Sequence, residues 1–199
     1  MIRSKFFSAL RKTLFAGGLS KEQVAGLEAK LDAWERIAPT ADLRFVAYSL
    51  ATSYHETART MQPIREYGRG KGRRYGVKAG PSGQVYYGRG DVQLTWLANY
   101  DRATKELRRL GALTSRESLV ETPDLALRPD ISAAVMIVGM LEGWFTGRKL
   151  ADYFAGARSD WVDARRIING TDRAALIAGH GLHFYAALQD AQAAPRRVA

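Results

Sequence analysis

The chain has 199 residues, 46% hydrophobic and 25% charged, the balance of a one-domain soluble globular protein and not of a disordered or collagen-like one. Lys and Arg exceed Asp and Glu by enough to leave a net charge of +10, so the surface attracts polyanions such as nucleic acid, anionic lipid or an anionic bacterial cell wall. The absence of cysteine excludes a disulfide framework, a thiolate nucleophile and Cys-based zinc or iron–sulfur sites. Along the chain, Arg11 and Lys12 interrupt the first apolar residues before a secretion-signal core forms. Synthesis as a soluble cytoplasmic protein is therefore expected, with any action beyond the membrane depending on release by other means. Ser20, three residues before Gln23, predicts a capping box. Val24, Leu27, Leu31 and Trp34 continue at helical spacing to Ile37, and Pro39 closes the helix. A second helix is predicted from Asp42 to about Ala58, with Leu43, Val46, Ala47, Leu50, Ala51 and Tyr54 facing the core.

Residues 60–91 break this pattern. From Gly68 to Gly90 there are eight glycines, six Lys or Arg and no acidic residue, a composition that forbids a regular helix. A short strand or hairpin is expected around Val85–Leu94. Helical spacing resumes from Thr95 to Leu110, with Gly111 as its C-terminal cap. The apolar run Ile131–Leu141 is well short of the roughly 20 residues that span a bilayer and reads as a buried helix from Asp130 to Trp144. Shorter helices are expected over 149–155 and 160–168. Asn169-Gly170 predicts a turn, Thr171 a cap for a last helix to Gln192, and the 194–199 tail is expected to fray. The whole reads as a single, mainly α-helical domain spanning 1–199 with one long glycine-rich loop. Loops of that length inside compact domains are usually functional.

The chemistry-bearing residues cluster in and beside that loop. Glu56 falls in the last turn of the second helix, where the helix dipole favours a protonated carboxyl group, the state that general-acid cleavage of a glycosidic bond requires. A solvated helix-end glutamate is the plainer alternative. A glycosidase needs a second carboxylate, and between Thr57 and Tyr100 the acidic residues are Glu66 and Asp91. Glu66 opens the glycine-rich loop and is placed to face Glu56 across a cleft, or to pair with Arg65 or Arg69. Asp91, between Gly90 and Val92, suits a turn or cap. The stretch Tyr86-Tyr-Gly-Arg-Gly-Asp-Val-Gln-Leu-Thr-Trp-Leu-Ala-Asn-Tyr100 combines amides, hydroxyls and aromatic faces suited to a sugar polymer. An extended 92–94 segment turns Gln93 away from Val92 and Leu94. Thr95 and Asn99, four apart on the following helix, share a face.

Three blocks resemble the signatures of glycoside hydrolase family 19, in that family's order: Ala51-Thr-Ser-Tyr-His-Glu-Thr57, Tyr86-Tyr-Gly-Arg-Gly-Asp-Val-Gln-Leu-Thr95 with Asn99-Tyr100, and Arg166-Ile-Ile-Asn-Gly170. The family contains chitinases and the endolysins of phages and prophages. The resemblance covers roughly Asp42 to Tyr185 and implies a lysozyme-like helical core, placed at 41–190, with a central cleft; the helical lead-in over 1–40 falls outside it. It implies Glu56 as the general acid and Gln93, Thr95 and Asn99 as residues that bind substrate and orient the attacking water. Asn169 matches the cleft asparagine, and His55, Tyr87 and Arg89 fall in the same blocks as substrate-binding positions. The family inverts, so a base must stand opposite the acid with room for water between them. Family chitinases place that base further along the chain. Here Glu66, ten residues after Glu56, is the sole candidate and is similar to the shorter spacing of the endolysin branch. Positioning of water or substrate is the alternative role for it.

The absence of cysteine and the positive charge point to anionic peptidoglycan over chitin as substrate. A monomeric enzyme is expected, with no cofactor, no metal, no nucleic-acid partner and no stable membrane insertion. Three other readings compete. His180 and His183, three apart on a predicted helix, form a zinc site together with His55 or Glu56 in one of them, although His55-Glu56 lacks the second His of the zinc-protease pattern. In another, the basic loop with Tyr67, Arg69, Lys71, Arg73, Arg74 and Tyr75 binds nucleic acid. In the third, the chain is a non-catalytic glycan-binding relative.

Overall fold

The computed structural model describes residues 1–192; the tail predicted to fray lies outside the described residues. Among the described residues, six α-helices carry the structure: α1 (Arg3–Lys12), α2 (Lys21–Ile37), α3 (Leu43–Glu56), α4 (Leu97–Arg109), α5 (Pro129–Glu142) and α6 (Ala174–Gln192). The predicted capping box forms, with Ser20 Oγ accepting from Gln23 N–H at 3.1 Å and the Gln23 side chain accepting from Ser20 N–H at 2.9 Å. Asp42 caps α3 by accepting from Arg44 N–H at 2.8 Å. Pro129 sits in the first turn of α5, and Gly143 ends that helix in the left-handed conformation at φ 76°.

α5 is the central helix, with Ile131 through Met140 buried on every side. α2 packs across it, while α3 lies along α6 and α1 closes over α6. Leu27, Leu31 and Trp34 of α2 and Phe6, Phe7 and Leu10 of α1 join Leu50, Tyr54, Ile137 and Phe184 in one core. Burying each such large side chain contributes roughly 1.5–3 kcal/mol, so the first 40 residues are structural partners of the rest. Among the described residues no helix is long and apolar enough to cross a membrane.

The strands of the described residues are two residues each and form three antiparallel pairs. β1 (Ile64–Arg65) pairs with β4 (Arg89–Gly90), β2 (Lys78–Ala79) with β3 (Gln84–Val85), and β5 (Phe154–Ala155) with β6 (Arg158–Ser159). The expected hairpin around 85–94 is thus divided between two ribbons. Segment 92–94 is not extended: Arg89 and Leu94 exchange backbone hydrogen bonds at 3.2 and 2.9 Å around a tight turn in which Gln93 has φ 55°. The helix predicted from Thr95 begins at Leu97, because Trp96 takes φ 70° and donates its N–H to Tyr86 O at 3.0 Å. Thr95 therefore precedes the helix. The helix expected over 149–155 is one 3₁₀ turn, Leu150–Asp152, and Gly156 at φ 54° then turns the chain into the β5–β6 hairpin. The 160–168 helix is a 3₁₀ segment, Asp163–Ile167, and α6 starts three residues after Thr171.

Candidate active site

Glu56 ends α3, and its Oε1 accepts a hydrogen bond from Arg165 Nη1 at 2.6 Å. The Arg165 side chain is 4% exposed and that of Glu56 20%. Arg165 also donates Nε–H to Asp172 O at 3.1 Å, and its own carbonyl accepts from Asn169 N–H at 3.1 Å. One arginine thus links the candidate acid to the Ile-Ile-Asn-Gly turn. The helix C-terminus is not the only charge facing Glu56, since a buried guanidinium opposes it.

Glu66 belongs to a second group. It follows β1, and its Oε1 accepts from the Tyr75 hydroxyl at 2.7 Å while Oε2 accepts from Gly88 N–H at 3.0 Å. That hydrogen bond, followed by burial, holds the Tyr75 phenol above its ordinary value, so it stays protonated as a donor. The Tyr75 ring meets Trp96 edge-on at 5.5 Å, and Trp96 is 46% exposed. Gln93 flanks the same strand, donating Nε2–H to Ile64 O at 3.2 Å and to Gly90 O at 3.1 Å. A Cβ at Gly88 would meet both Gln93 Oε1 and Glu66 Cβ, at 2.7 and 3.2 Å, so glycine is what lets these side chains close over the backbone. Asn99 donates Nδ2–H to the Thr95 backbone carbonyl at 2.9 Å, and the half-buried Thr95 hydroxyl itself makes no hydrogen bond to a described residue.

α3 supports both groups. One turn before Glu56, Ser53 donates to Asp91 Oδ1 at 2.7 Å, two residues before Gln93. Asp91 is fully buried and pairs with Lys30 Nζ at 2.9 Å, and it accepts from Ser132 Oγ at 2.6 Å. Lys30 further donates to Met61 O at 2.8 Å, within the 57–63 loop that joins the two candidate carboxylates. That loop lies against Gly26 of α2, where a Cβ would come within 2.0 Å of Met61 O. Asp91 is thus the hub of a buried polar network and not the turn or cap residue its flanking sequence suggested.

The structure therefore brings Glu66 together with Gln93, Thr95 together with Asn99, and Glu56 together with Asn169 through Arg165. Asn169 is exposed and lines a shallow depression with Thr146, Arg148 and Ile168. Arg89 and Tyr87, expected as substrate-binding positions, form one stacked unit. Arg89 is 5% exposed, stacks over the Tyr87 ring at 3.6 Å, and gives its donors to Asp124, Val85 O, Tyr87 O and the Tyr100 hydroxyl. Both residues line a depression with Gln84, Glu121 and Asp124, in which the Arg89 guanidinium lies over the Tyr87 ring. Glu66 pairs with neither Arg65 nor Arg69; Arg65 bonds Asp124 at 2.8 Å. His55 lines a depression with Arg59, Leu176 and His180. His180 packs edge-on against Tyr54 at 4.9 Å, and among the described residues no three of His, Asp and Glu gather as a metal site. Sequence reasoning missed Arg165, although it directly precedes the third block, and missed Lys30, whose place on the Leu27–Leu31–Trp34 face was the available signal.

With this geometry in hand, the chain superposes on solved chitinases. It matches chitinase C from Streptomyces griseus with a TM-score of 0.57 at 20% identity, over 94% of this chain and 75% of that one. A family 19, class IV chitinase from Zea mays gives 0.55 at 17% identity, over 96% and 92% of the two chains. A bacterial family 19 chitinase gives 0.50 at 19% identity, over 96% and 95%. The fold is the mainly α-helical, lysozyme-like fold of the family 19 chitinases. No protein-family model and no curated protein sequence matches the chain.

Proposed function

We propose that this chain is a glycoside hydrolase that cuts β-1,4 bonds of bacterial peptidoglycan with inversion, as a monomer and without a cofactor, after release from the cytoplasm in which it is made. The observation that carries the reading is Glu56, held at 2.6 Å by the buried Arg165 at the end of α3, in a fold shared with chitinases. In this reading Glu56 gives its proton to the leaving glycosidic oxygen. Arg165 stabilises the carboxylate left behind, a charge-assisted contact formed on residues that are already in place. Glu66, oriented by Tyr75 and Gly88, takes the proton of a water that the free Thr95 hydroxyl helps to hold, and that water attacks the anomeric carbon from the opposite face. The net charge of +10 supports an anionic polymer as substrate.

A second reading, hydrolysis of chitin, is favoured by the solved chitinases of the same fold. Both are tested by incubating wild type and Glu56→Gln with permeabilised cells and with colloidal chitin. Clearing of cells by wild type and an activity loss of about 10²-fold or more in the near-isosteric variant is the expected result. Products from chitin alone would select the second reading. Binding without cleavage of either polymer would overturn both and leave a glycan-binding protein.

A further inference from the structure

The loop between Glu66 and Tyr86 holds the largest group of uncompensated charge near the candidate site. Arg69, Lys71, Arg73, Arg74 and Lys78 are all exposed, and none makes an ion pair with a described residue. Exposed cations without a carboxylate partner occur elsewhere too, Arg36, Arg59 and Arg116 among them, but here five fall within residues 69–78. The loop carries no carboxylate of its own, because no acidic residue occurs from 67 to 90.

These cations stand on a built scaffold. Successive turns are closed by Arg69 N–H to Glu66 O at 3.1 Å, Lys71 N–H to Gly68 O at 2.9 Å, Arg73 N–H to Gly70 O at 2.9 Å and Gly76 N–H to Arg73 O at 2.9 Å. Gly70 and Gly76 pinch the base of the loop: a Cβ on Gly76 would lie 1.8 Å from Gly70 O. The β2–β3 ribbon finishes the loop. Five like charges fixed this way repel one another, a cost that an anionic ligand would offset. The loop also reaches the candidate site directly, through the Tyr75 hydroxyl on Glu66 and the Tyr75 ring against the half-exposed Trp96. Fully exposed Tyr67 adds a second ring face at the loop's start.

We infer that loop 67–78 is a carboxylate-recognition arm that holds the charged stem peptides of peptidoglycan beside Glu66 while Trp96 and Tyr67 take sugar rings, so that this hydrolase prefers an anionic glycan over neutral chitin. The inference rests on the proposed hydrolase activity for its consequence, but its binding arm is measured separately. Free carboxylates recur along peptidoglycan and are absent from N-acetylglucosamine polymers. The positive charge of the loop, shared by arginines and lysines, attracts them, and exposed aromatic faces suit pyranose rings.

The test uses purified sacculi, colloidal chitin and the full chain in three forms: wild type, a variant with Arg69, Lys71, Arg73, Arg74 and Lys78 all changed to Gln, and a variant with the three arginines changed to Lys. Wild type should sediment with sacculi at low salt and release them at high salt. The Gln variant should bind sacculi about tenfold more weakly, and its ratio of sacculus to chitin-oligomer turnover should fall by a similar factor. The Lys variant should keep sacculus binding, which separates lost charge from lost folding. Equal sacculus binding by wild type and the Gln variant would overturn the inference. So would wild-type binding to single-stranded DNA but not to sacculi, the outcome expected of a nucleic-acid arm. A wild type that binds sacculi through the loop yet releases no sugar would overturn the hydrolase reading and leave the arm standing.

Discussion

Lys30 Nζ and Asp91 Oδ1 lie 2.9 Å apart with neither side chain exposed to solvent. Every other contact of the pair is also satisfied, by Ser53, Ser132 and the Met61 and Gly26 carbonyls. The pair holds α2, α3 and α5 to the two chain segments that flank Glu66 and Gln93. Breaking such a pair leaves an uncompensated buried charge, a loss of roughly 3–5 kcal/mol. Lys30→Met and Asp91→Asn should each lower stability by that order in urea unfolding. The double variant should cost much less than the sum, because no lone charge remains. Additive losses would show that the two charges act independently.

Arg165 is the counterpart on the other side of α3. Its guanidinium spans Glu56 Oε1 and Asp172 O, two acceptors that a lysine's single ammonium does not reach in the same fork geometry. Arg165→Lys should therefore retain a folded protein and lower kcat by about tenfold or more, with KM little changed, since the lost contact matters most when Glu56 becomes a carboxylate. Arg165→Met should lose more in kcat and also lower the melting temperature. A change in KM alone would make Arg165 a substrate-binding residue.

The helices were legible where periodicity and caps agreed. Ser20 with Gln23 and Asp42 mark boundaries that the chain obeys, and the run at 131–141 is the buried α5, whose ends lie within two residues of the expected Asp130 and Trp144. Glu56 was legible as a helix-end carboxylate. The neighbourhood was not, because Arg165 and Lys30 reach their partners across 109 and 61 positions of sequence, and local spacing carries no such information. The 89–96 segment failed for another reason. Gln93 and Trp96 adopt positive φ, a conformation that side chains other than glycine rarely take and that propensity does not foresee.

Tyr75 gives a test of the second carboxylate. Its hydroxyl is the only side-chain donor to Glu66 among the described residues, and it remains protonated through neutral pH. Tyr75→Phe removes that donor while preserving the ring against Trp96. If Glu66 is the base, the variant should lose about tenfold in kcat on whichever glycan proves to be the substrate, and Glu66→Gln about 10²-fold or more. Glu66→Gln losses confined to KM would assign Glu66 to substrate positioning.

His180 predicts a pH dependence of stability. Burial first, then the nearby Arg59, His55 and His183, hold its imidazole below the ordinary value of 6.5. Between 6.5 and that lower folded value, the unfolded chain binds a proton that the native protein does not, so stability falls as pH drops through this window and is unaffected above it. The carboxylates with lowered values, Glu22, Asp42, Glu117, Asp124 and Asp130, act only further down, where their unfolded forms titrate near 3.8–4.5. The urea midpoint of the wild type should therefore fall between pH 7.5 and pH 5.5. His180→Phe keeps an aromatic ring against Tyr54 but has no proton to gain, and its midpoint should fall less over the same range. Parallel curves for the two proteins would show that the proton taken up on unfolding does not go to His180.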